Sequence, residues 1–123
     1  MGYFRRSCTF NGNTILWSNG TGSEIYTDET SSLIVTYSDV EGGYLGEGNL
    51  AAVPLFINSA DKNYHLHTGS SCNDAGTNLN APANDIDDNN RPQGTKYDIG
   101  ADEYLPGRKL LQVVHTINQK DIL

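Results

Sequence analysis

The sequence predicts an all-β fold, and three observations lead to this prediction. Only 37% of the 123 residues are hydrophobic, and Gly, Asn, Ser, Thr and Asp are abundant, which suits short strands joined by turns better than helices. The apolar residues stand in short clusters that include β-branched and aromatic side chains. Phe10, Leu16, Ile25 and Val35 represent successive clusters spaced 6 to 10 residues apart, with turn-forming residues between them.

The first half of the chain contains four strand candidates. They are residues 7–10, 14–17, 24–27 and 33–40, and the last of them ends at Glu41-Gly42-Gly43. The spacing fits three short strands per coil of a solenoid, with about 22 to 30 residues per coil. An antiparallel meander fits the spacing nearly as well, because the Asn-Gly turn at residues 11–13 favours a hairpin.

The second half has fewer strand candidates and more loop. It contains an apolar segment at 49–57, a strand at 64–67 with Leu66 inward, a helical turn at 72–79, and a short strand at 97–101. A stretch rich in Asn and Asp precedes that last strand and is predicted to be an ordered loop. In the terminal segment, Leu110, Val113, Val114 and Ile117 share one helix face, although a strand also fits.

Four blocks in this second half, together with residues 35–43, carry a resemblance to a known family. The blocks are residues 63–66, 69–77, 85–92 and 97–104. They resemble the C-terminal end of bacterial surface proteins of the choice-of-anchor type, which are built on a right-handed parallel β-helix.

The resemblance implies a truncated right-handed parallel β-helix of about two coils with a C-terminal cap. Residues 1–49 are then the coils and residues 50–104 the cap, within one domain, because the open end of a parallel solenoid must be covered. Residues 105–123 are a tail that packs on the body or on a partner subunit. The family is extracellular or attached to the cell surface, and its members are usually much longer.

Charge excludes several classes of partner. The net charge is −7, and residues 24–103 carry fourteen acidic side chains against three basic ones. Such a body is repelled by phosphate backbones and by anionic membrane surfaces, so we expect neither nucleic acid nor membrane as a partner. Residues 1–14 lack the apolar segment of a secretory signal, so the chain is expected to be cytosolic or a piece of a secreted parent.

The two cysteines, Cys8 and Cys72, are too few for a disulfide framework. We favour two separate buried thiols. No Cys/His spacing typical of zinc is present. His65 and His67 share one face of the predicted strand and offer two nitrogen ligands, but no third ligand stands at a suggestive spacing, so packing or solvent-facing histidines are favoured.

Asp85, Asp87 and Asn89 resemble the opening of a calcium loop, because hard cations bind several carboxylate and amide oxygens. The EF-hand pattern fails, since its sixth position is Asn90 and its twelfth is Lys96. A looser calcium site completed by Asp98 or Asp102 is one interpretation, and a turn capped by its own side chains is the other.

The function predicted from these features is a non-catalytic structural or weakly carbohydrate-binding module of a bacterial surface or secreted protein. The rings of Trp17, Tyr26 and Tyr37 are the candidate ligand-binding groups, and the alternative is that they fill coil ends. Two other functions remain open. One is a polysaccharide lyase or hydrolase relic, and the other is a small self-associating protein that pairs through the open coil end or the tail.

An enzyme is the less favoured interpretation, because the sequence contains no recognisable catalytic motif. The acids near predicted strand ends are Glu24, Asp28, Asp39 and Glu41. Their spacing does not establish a pair of carboxylates at the separation that glycoside hydrolysis requires.

Overall fold

Short β-strands and irregular backbone make up the described part of the chain. The computed structural model describes residues 6–10, 12–20 and 22–105. In this part of the chain the strands are β1 (Arg6–Phe10), β2 (Ile15–Leu16), β3 (Ser31–Val35), β4 (Asp39–Val40), β5 (Phe56–Asn58) and β6 (Asn63–Leu66). A single 3-10 turn, Ser59–Asp61, joins β5 to β6, and these residues contain no α-helix. The class predicted from composition, strands and turns without helices, therefore describes these residues.

The strands of the first half pair in parallel. Arg6 of β1 is opposite Ser31 of β3, and Ile15 of β2 is opposite Asp39 of β4, so the two pairs have nearly the same sequence offset. Leu50 forms an isolated parallel bridge to Asp39. The antiparallel meander, which the spacing alone left open, is not what the described residues of this half form.

The longest predicted strand, residues 33–40, is divided into β3 and β4. Tyr37 lies between them with a φ of +49°, in the left-handed region that ends a strand. Its backbone N–H donates to Glu47 O at 2.8 Å, and Asn49 Oδ1 accepts the N–H of Ser38 at 3.0 Å. The chain therefore turns a corner here, and the β-prone composition of the segment did not reveal it.

Residues 24–27 form no strand in the structure, contrary to the prediction. Tyr26 is 90% exposed, and no described strand pairs with this segment. Strand propensity reflects packing against cross-strand neighbours, so a β-prone segment without such neighbours stays irregular.

The hairpin of β5 and β6 is antiparallel, with Phe56 opposite Leu66. The rings of Phe56 and Tyr64 meet edge to face, with centroids 5.1 Å apart. Leu66 is 2% exposed, which confirms the prediction that it points inward. The hairpin therefore offers one buried face to the core and keeps Tyr64 at its rim.

Two predicted elements of the second half are wrong. Residues 72–79 contain turns rather than a helical turn, and residues 97–101 are not a strand. The backbone of the latter segment binds several separate segments: Tyr97 O accepts from Gly76, and the N–H groups of Ile99 and Gly100 donate to Cys72 O and Asn13 O, all at 2.7 to 2.9 Å. A strand needs one partner alongside it, so these scattered bonds give an irregular but buried backbone.

The two halves share one core. Leu66, Cys72 and Ile99 form its centre, and partly buried side chains pack around it, among them Ile15, Leu50, Phe56, Ala75 and Tyr104. Ile15 belongs to the parallel strands, whereas Phe56 and Leu66 belong to the hairpin. Burial of apolar surface is the main force that holds such a small domain together, so each half stabilises the other.

A buried ion pair lies beside this core, within the stretch rich in Asn and Asp. Arg91 Nη2 is 2.9 Å from Glu103 Oε2, and both side chains are almost fully buried. The same nitrogen donates to Asp98 O at 2.9 Å and to Gly100 O at 3.2 Å, while the ring of Tyr97 lies 4.9 Å from the guanidinium carbon. Arg91 thereby fixes the irregular backbone of residues 98–100. The tail predicted for residues 105–123 lies outside the described residues from 106 onward.

The cysteines are separate thiols, as predicted, but only one is buried. Cys8 is exposed and Cys72 is buried. Cys72 Sγ donates to Asp39 Oδ2 at 3.2 Å. Burial raises the pKa of Cys72 to about 12, and the hydrogen bond to Asp39 adds to this effect.

We expect a thiol reagent to modify one cysteine rapidly at pH 8 and the other only after unfolding. The thiolate is the reactive form, and Cys72 holds almost none at this pH. The measurement counts modified thiols by mass before and after denaturant. A Cys8→Ser variant should lose the rapid reaction, and rapid modification of both cysteines in the native chain would contradict the buried position of Cys72.

Candidate functional site

An open cavity of about 620 Å³ lies between the parallel strands and the C-terminal residues. Its apolar wall is formed by Trp17, which follows β2, by Phe56 and Tyr64 of the hairpin, and by Ile86. Polar side chains stand among these rings, including those of Asn13, Asn19 and Lys62. Apolar walls with a few converging polar groups are typical of small-ligand sites.

Three ionisable side chains meet at one side of this cavity. His65 Nε2 lies 2.7 Å from Asp87 Oδ2 and 3.8 Å from Asp102 Oδ1. One ligand atom from each of the three residues falls within 4.8 Å of the other two. His65 is half-buried, Asp87 is exposed and Asp102 is buried, so the group opens to solvent on one side only.

Asp85 positions the two aspartates of this group. Its Oδ1 accepts the backbone N–H of Asp87 at 2.9 Å and that of Asn89 at 2.8 Å, and its Oδ2 accepts the N–H of Glu103 at 2.9 Å. Burial pushes the pKa of Asp85 upward, but the N–H donors, Glu103 first, outweigh it and leave that pKa lowered. Asp85 thus ties the loop that carries Asp87 to the segment that carries Asp102.

Asn63 positions the histidine. It lies at the start of β6, and its Oδ1 accepts the backbone N–H of His65 at 3.2 Å. The same oxygen lies 2.6 Å from His65 Nδ1. The imidazole is therefore held by its far nitrogen, with Nε2 directed at the two carboxylates. His67, its predicted companion, accepts the N–H of Gly69 through Nδ1 at 3.3 Å and is exposed outside the group.

The predicted aromatic ligand-binding residues are not brought together in this cavity. Trp17 lines it, whereas Tyr26 and Tyr37 are not among its lining residues. Tyr26 is exposed, and the hydroxyl of Tyr37 donates to Glu47 Oε1 at 2.8 Å. A saccharide role for the three rings stays a prediction.

The predicted calcium ligands hold other contacts. The carboxylate of Asp85 accepts three backbone N–H groups, as the interpretation of a self-capped turn expects, and Asp87 contacts His65. Asp102 faces His65 as well, whereas Asp98 accepts the N–H of Asp74 at 2.7 Å. Calcium binding by Asp85, Asp87 and Asn89 stays a prediction.

The four acids considered for catalysis each accept a backbone N–H. The donors are Asn19 for Glu24, Thr30 for Asp28, Ala52 for Asp39 and Ser18 for Glu41. Asp39 is fully buried, and burial raises its pKa although the bonds from Cys72 and Ala52 oppose this. These contacts give each acid a structural role: Glu24 and Asp28 bind nearby backbone, Asp39 lies in the core, and Glu41 joins the end of β4 to Ser18.

No protein-family model matches this chain, and neither the curated proteins nor the solved structures compared with it include a match. Among the described residues, no helix is long and apolar enough to cross a membrane. The geometry of the cavity is therefore the basis for a functional assignment.

Proposed function

We propose that this chain is the truncated end of a right-handed parallel β-helix with a C-terminal cap, and that it binds polysaccharide without cleaving it. The nearly equal sequence offset of the two parallel pairs, Arg6 with Ser31 and Ile15 with Asp39, supports the first part. Successive coils of a β-helix pair in parallel at such a regular offset. The bridge from Asp39 to Leu50 extends the same stack into the predicted cap. The four blocks that resemble bacterial surface proteins support the same fold and an extracellular setting.

The observation that carries the binding proposal is the aromatic wall of the cavity. Trp17 and Tyr64 come from opposite parts of the chain and line the same space. Flat rings offer contact area at low cost in side-chain entropy, and their faces suit the apolar faces of pyranose rings. Lys62, which also lines the cavity, supplies an ammonium donor for hydroxyl groups.

The charge of the chain selects among polysaccharides. Asp87 and Asp102 stand at the cavity, and the net charge is −7. An acidic polymer is repelled by this field, so the proposed ligand is a neutral polysaccharide. Each of the four acids near strand ends accepts a backbone N–H. These contacts favour binding over hydrolysis as the function.

We expect the chain to be retained on a neutral polysaccharide in affinity electrophoresis, and Trp17→Ala to weaken this binding at least about tenfold, or about 1.4 kcal/mol. Replacing this aromatic side chain with alanine removes its contact area with the saccharide and lets water fill the space. Tyr64→Leu tests a second ring that lines the cavity, and Tyr26→Ala is the matched control because that ring is exposed and does not line the cavity.

Two results would count against this proposal. Absence of retention on every neutral polysaccharide tested would rule out saccharide binding. A loss with Tyr26→Ala, while Trp17→Ala and Tyr64→Leu bind normally, moves the site away from this cavity. Thermal unfolding of each variant shows whether a loss of binding reflects a loss of folding.

A further inference from the structure

The three side chains at the cavity wall have the composition and spacing of a metal site. The distances from His65 Nε2 are 2.7 Å to Asp87 Oδ2 and 3.8 Å to Asp102 Oδ1. Neighbouring ligand atoms around a tetrahedral zinc ion lie roughly 3.3 Å apart, given metal–ligand bonds of about 2.0 to 2.2 Å. The observed distances bracket this value, so small side-chain rotations bring the three atoms around one ion.

The hydrogen bond from the far side of the imidazole is an independent observation that points to a cation. Because Asn63 Oδ1 accepts the backbone N–H of His65, this atom is the oxygen of the amide, which only accepts. The same oxygen lies 2.6 Å from Nδ1, so Nδ1 carries a proton and donates it. In the neutral imidazole, Nε2 then presents its lone pair to the carboxylates.

A lone pair on His65 Nε2, at hydrogen-bond distance from Asp87 Oδ2, suits a cation that both atoms bind. The Asn63–His65 contact is also the arrangement found behind ligating histidines, where an acceptor holds the other ring N–H and raises the basicity of the ligand. The buried position of Asp102 adds to this, because a buried carboxylate is stable when a cation balances its charge.

We propose that His65, Asp87 and Asp102 bind one divalent transition-metal ion, and that zinc fits the donor set best. An imidazole nitrogen with two carboxylate oxygens suits zinc, whereas calcium and magnesium favour all-oxygen sets and soft ions favour thiolates. Three protein ligands leave the fourth position open toward the cavity, where water or a ligand hydroxyl binds. This site does not depend on saccharide binding.

The test is calorimetric titration of zinc into the full chain after chelator treatment, with Asp87→Asn and Asp88→Asn as a matched pair. Both aspartates are exposed neighbours, and Asp88 has a φ of +65°, which Asn tolerates. We expect one zinc ion per wild-type chain, a loss of at least about 100-fold in affinity for Asp87→Asn, and wild-type affinity for Asp88→Asn. His65→Ala should behave like Asp87→Asn, and His67→Ala like the wild type.

Changes at Asn63 distinguish a metal site from a contact between His65 and Asp87 alone. As a positioning residue, it is expected to lower zinc affinity by about 10- to 100-fold when changed to Leu, and Asn63→Asp should restore it because an acceptor oxygen returns. The visible absorption of bound cobalt(II) reports the same site spectroscopically and should vanish in His65→Ala. Both readouts are independent of any polysaccharide.

Three outcomes would overturn the proposal. The first is absence of zinc uptake by the wild-type chain, which leaves the contact between His65 and Asp87 as one within the protein alone. The second is equal loss in Asp87→Asn and Asp88→Asn. The third is binding of calcium alone that depends on Asp85 and Asn89 but not on His65, which places the metal in the loop instead.

Discussion

Replacing Glu103 with Gln is expected to lower the free energy of unfolding by about 3 to 5 kcal/mol, because it breaks a buried ion pair and leaves the charge of Arg91 uncompensated. Glu103 is fully buried, and its partners are all donors. Arg91 Nε donates to Oε2 at 3.0 Å, and the backbone N–H groups of Asp98 and Gln93 donate to Oε2 and Oε1 at 2.8 and 3.3 Å. An amide NH₂ group in place of either oxygen faces at least one of these donors.

Urea unfolding followed by circular dichroism measures this loss, with the slope of the transition unchanged. Glu29→Gln is the matched control, since the same chemical change at an exposed position should alter stability by less than about 0.5 kcal/mol. A loss under about 1 kcal/mol for Glu103→Gln would show that water reaches the ion pair. In that case Arg91 would not fix the backbone of residues 98–100 as the structure indicates.

The parallel strands show what local sequence can predict about this fold. The clusters around Phe10, Leu16 and Val35 and the turns between them fall where β1, β2 and β3 lie, because apolar clusters and turn residues act locally. Spacing could not decide between parallel and antiparallel pairing, since the same Asn-Gly turn serves both. That choice depends on contacts between residues far apart in the chain, such as Arg6 and Ser31, which only the folded chain reveals.

The segment at residues 97–101 shows where such prediction fails. Its alternating Tyr97, Ile99 and Ala101 predict a strand, yet the backbone bonds to three separate segments and to Arg91. Tertiary hydrogen bonds outweigh strand propensity, which is worth at most about 1 kcal/mol per residue. Ile99 is nevertheless buried. Hydrophobicity decides burial more strongly than it decides backbone conformation.

The candidate metal group could be predicted only in part. Asp87 and Asp102 both appeared among the residues considered for calcium, and His65 appeared as a nitrogen ligand with His67. Nothing in the spacing joined these two sets, because His65 and Asp87 are separated by 22 positions. The nearest local signal is Asn63, two residues before His65, a spacing that lets the amide side chain hold the imidazole ring. An Asn-x-His pattern is too short and too common to predict a metal site on its own.

The second large effect is expected from pH, through Asp98. Burial raises the pKa of Asp98 to about 6, although the backbone N–H groups of Asp74 and Tyr104 oppose this, and the nearby charge of Glu103 raises it further. An unfolded Asp has a pKa of about 3.9. The folded state therefore binds this proton more tightly, so its contribution to stability is fully present below about pH 4 and is lost as pH rises through about 6.

The size of the effect follows from the two pKa values. A difference of about two units corresponds to roughly 3 kcal/mol, since each unit is worth about 1.36 kcal/mol. Asp85 has a lowered pKa, so its stabilising contribution is lost only as pH falls below about 4. Asp39, whose pKa is raised by burial, changes in the same direction as Asp98. Comparing the wild type with Asp98→Asn isolates the contribution of Asp98 to the pH dependence of stability.

We expect the free energy of unfolding of the wild type, minus that of Asp98→Asn, to fall by roughly 2 kcal/mol between pH 4 and pH 7, most of the full effect. The acceptor lost in the Asp98→Asn variant shifts the difference by a constant and does not change its slope. Carbon-13 shifts of the Asp98 carboxyl should titrate with a midpoint near pH 6. A difference that rises with pH, or a midpoint near 4, would mean that the backbone N–H groups of Asp74 and Tyr104 hold Asp98 as a carboxylate rather than a carboxylic acid, and that its burial is incomplete.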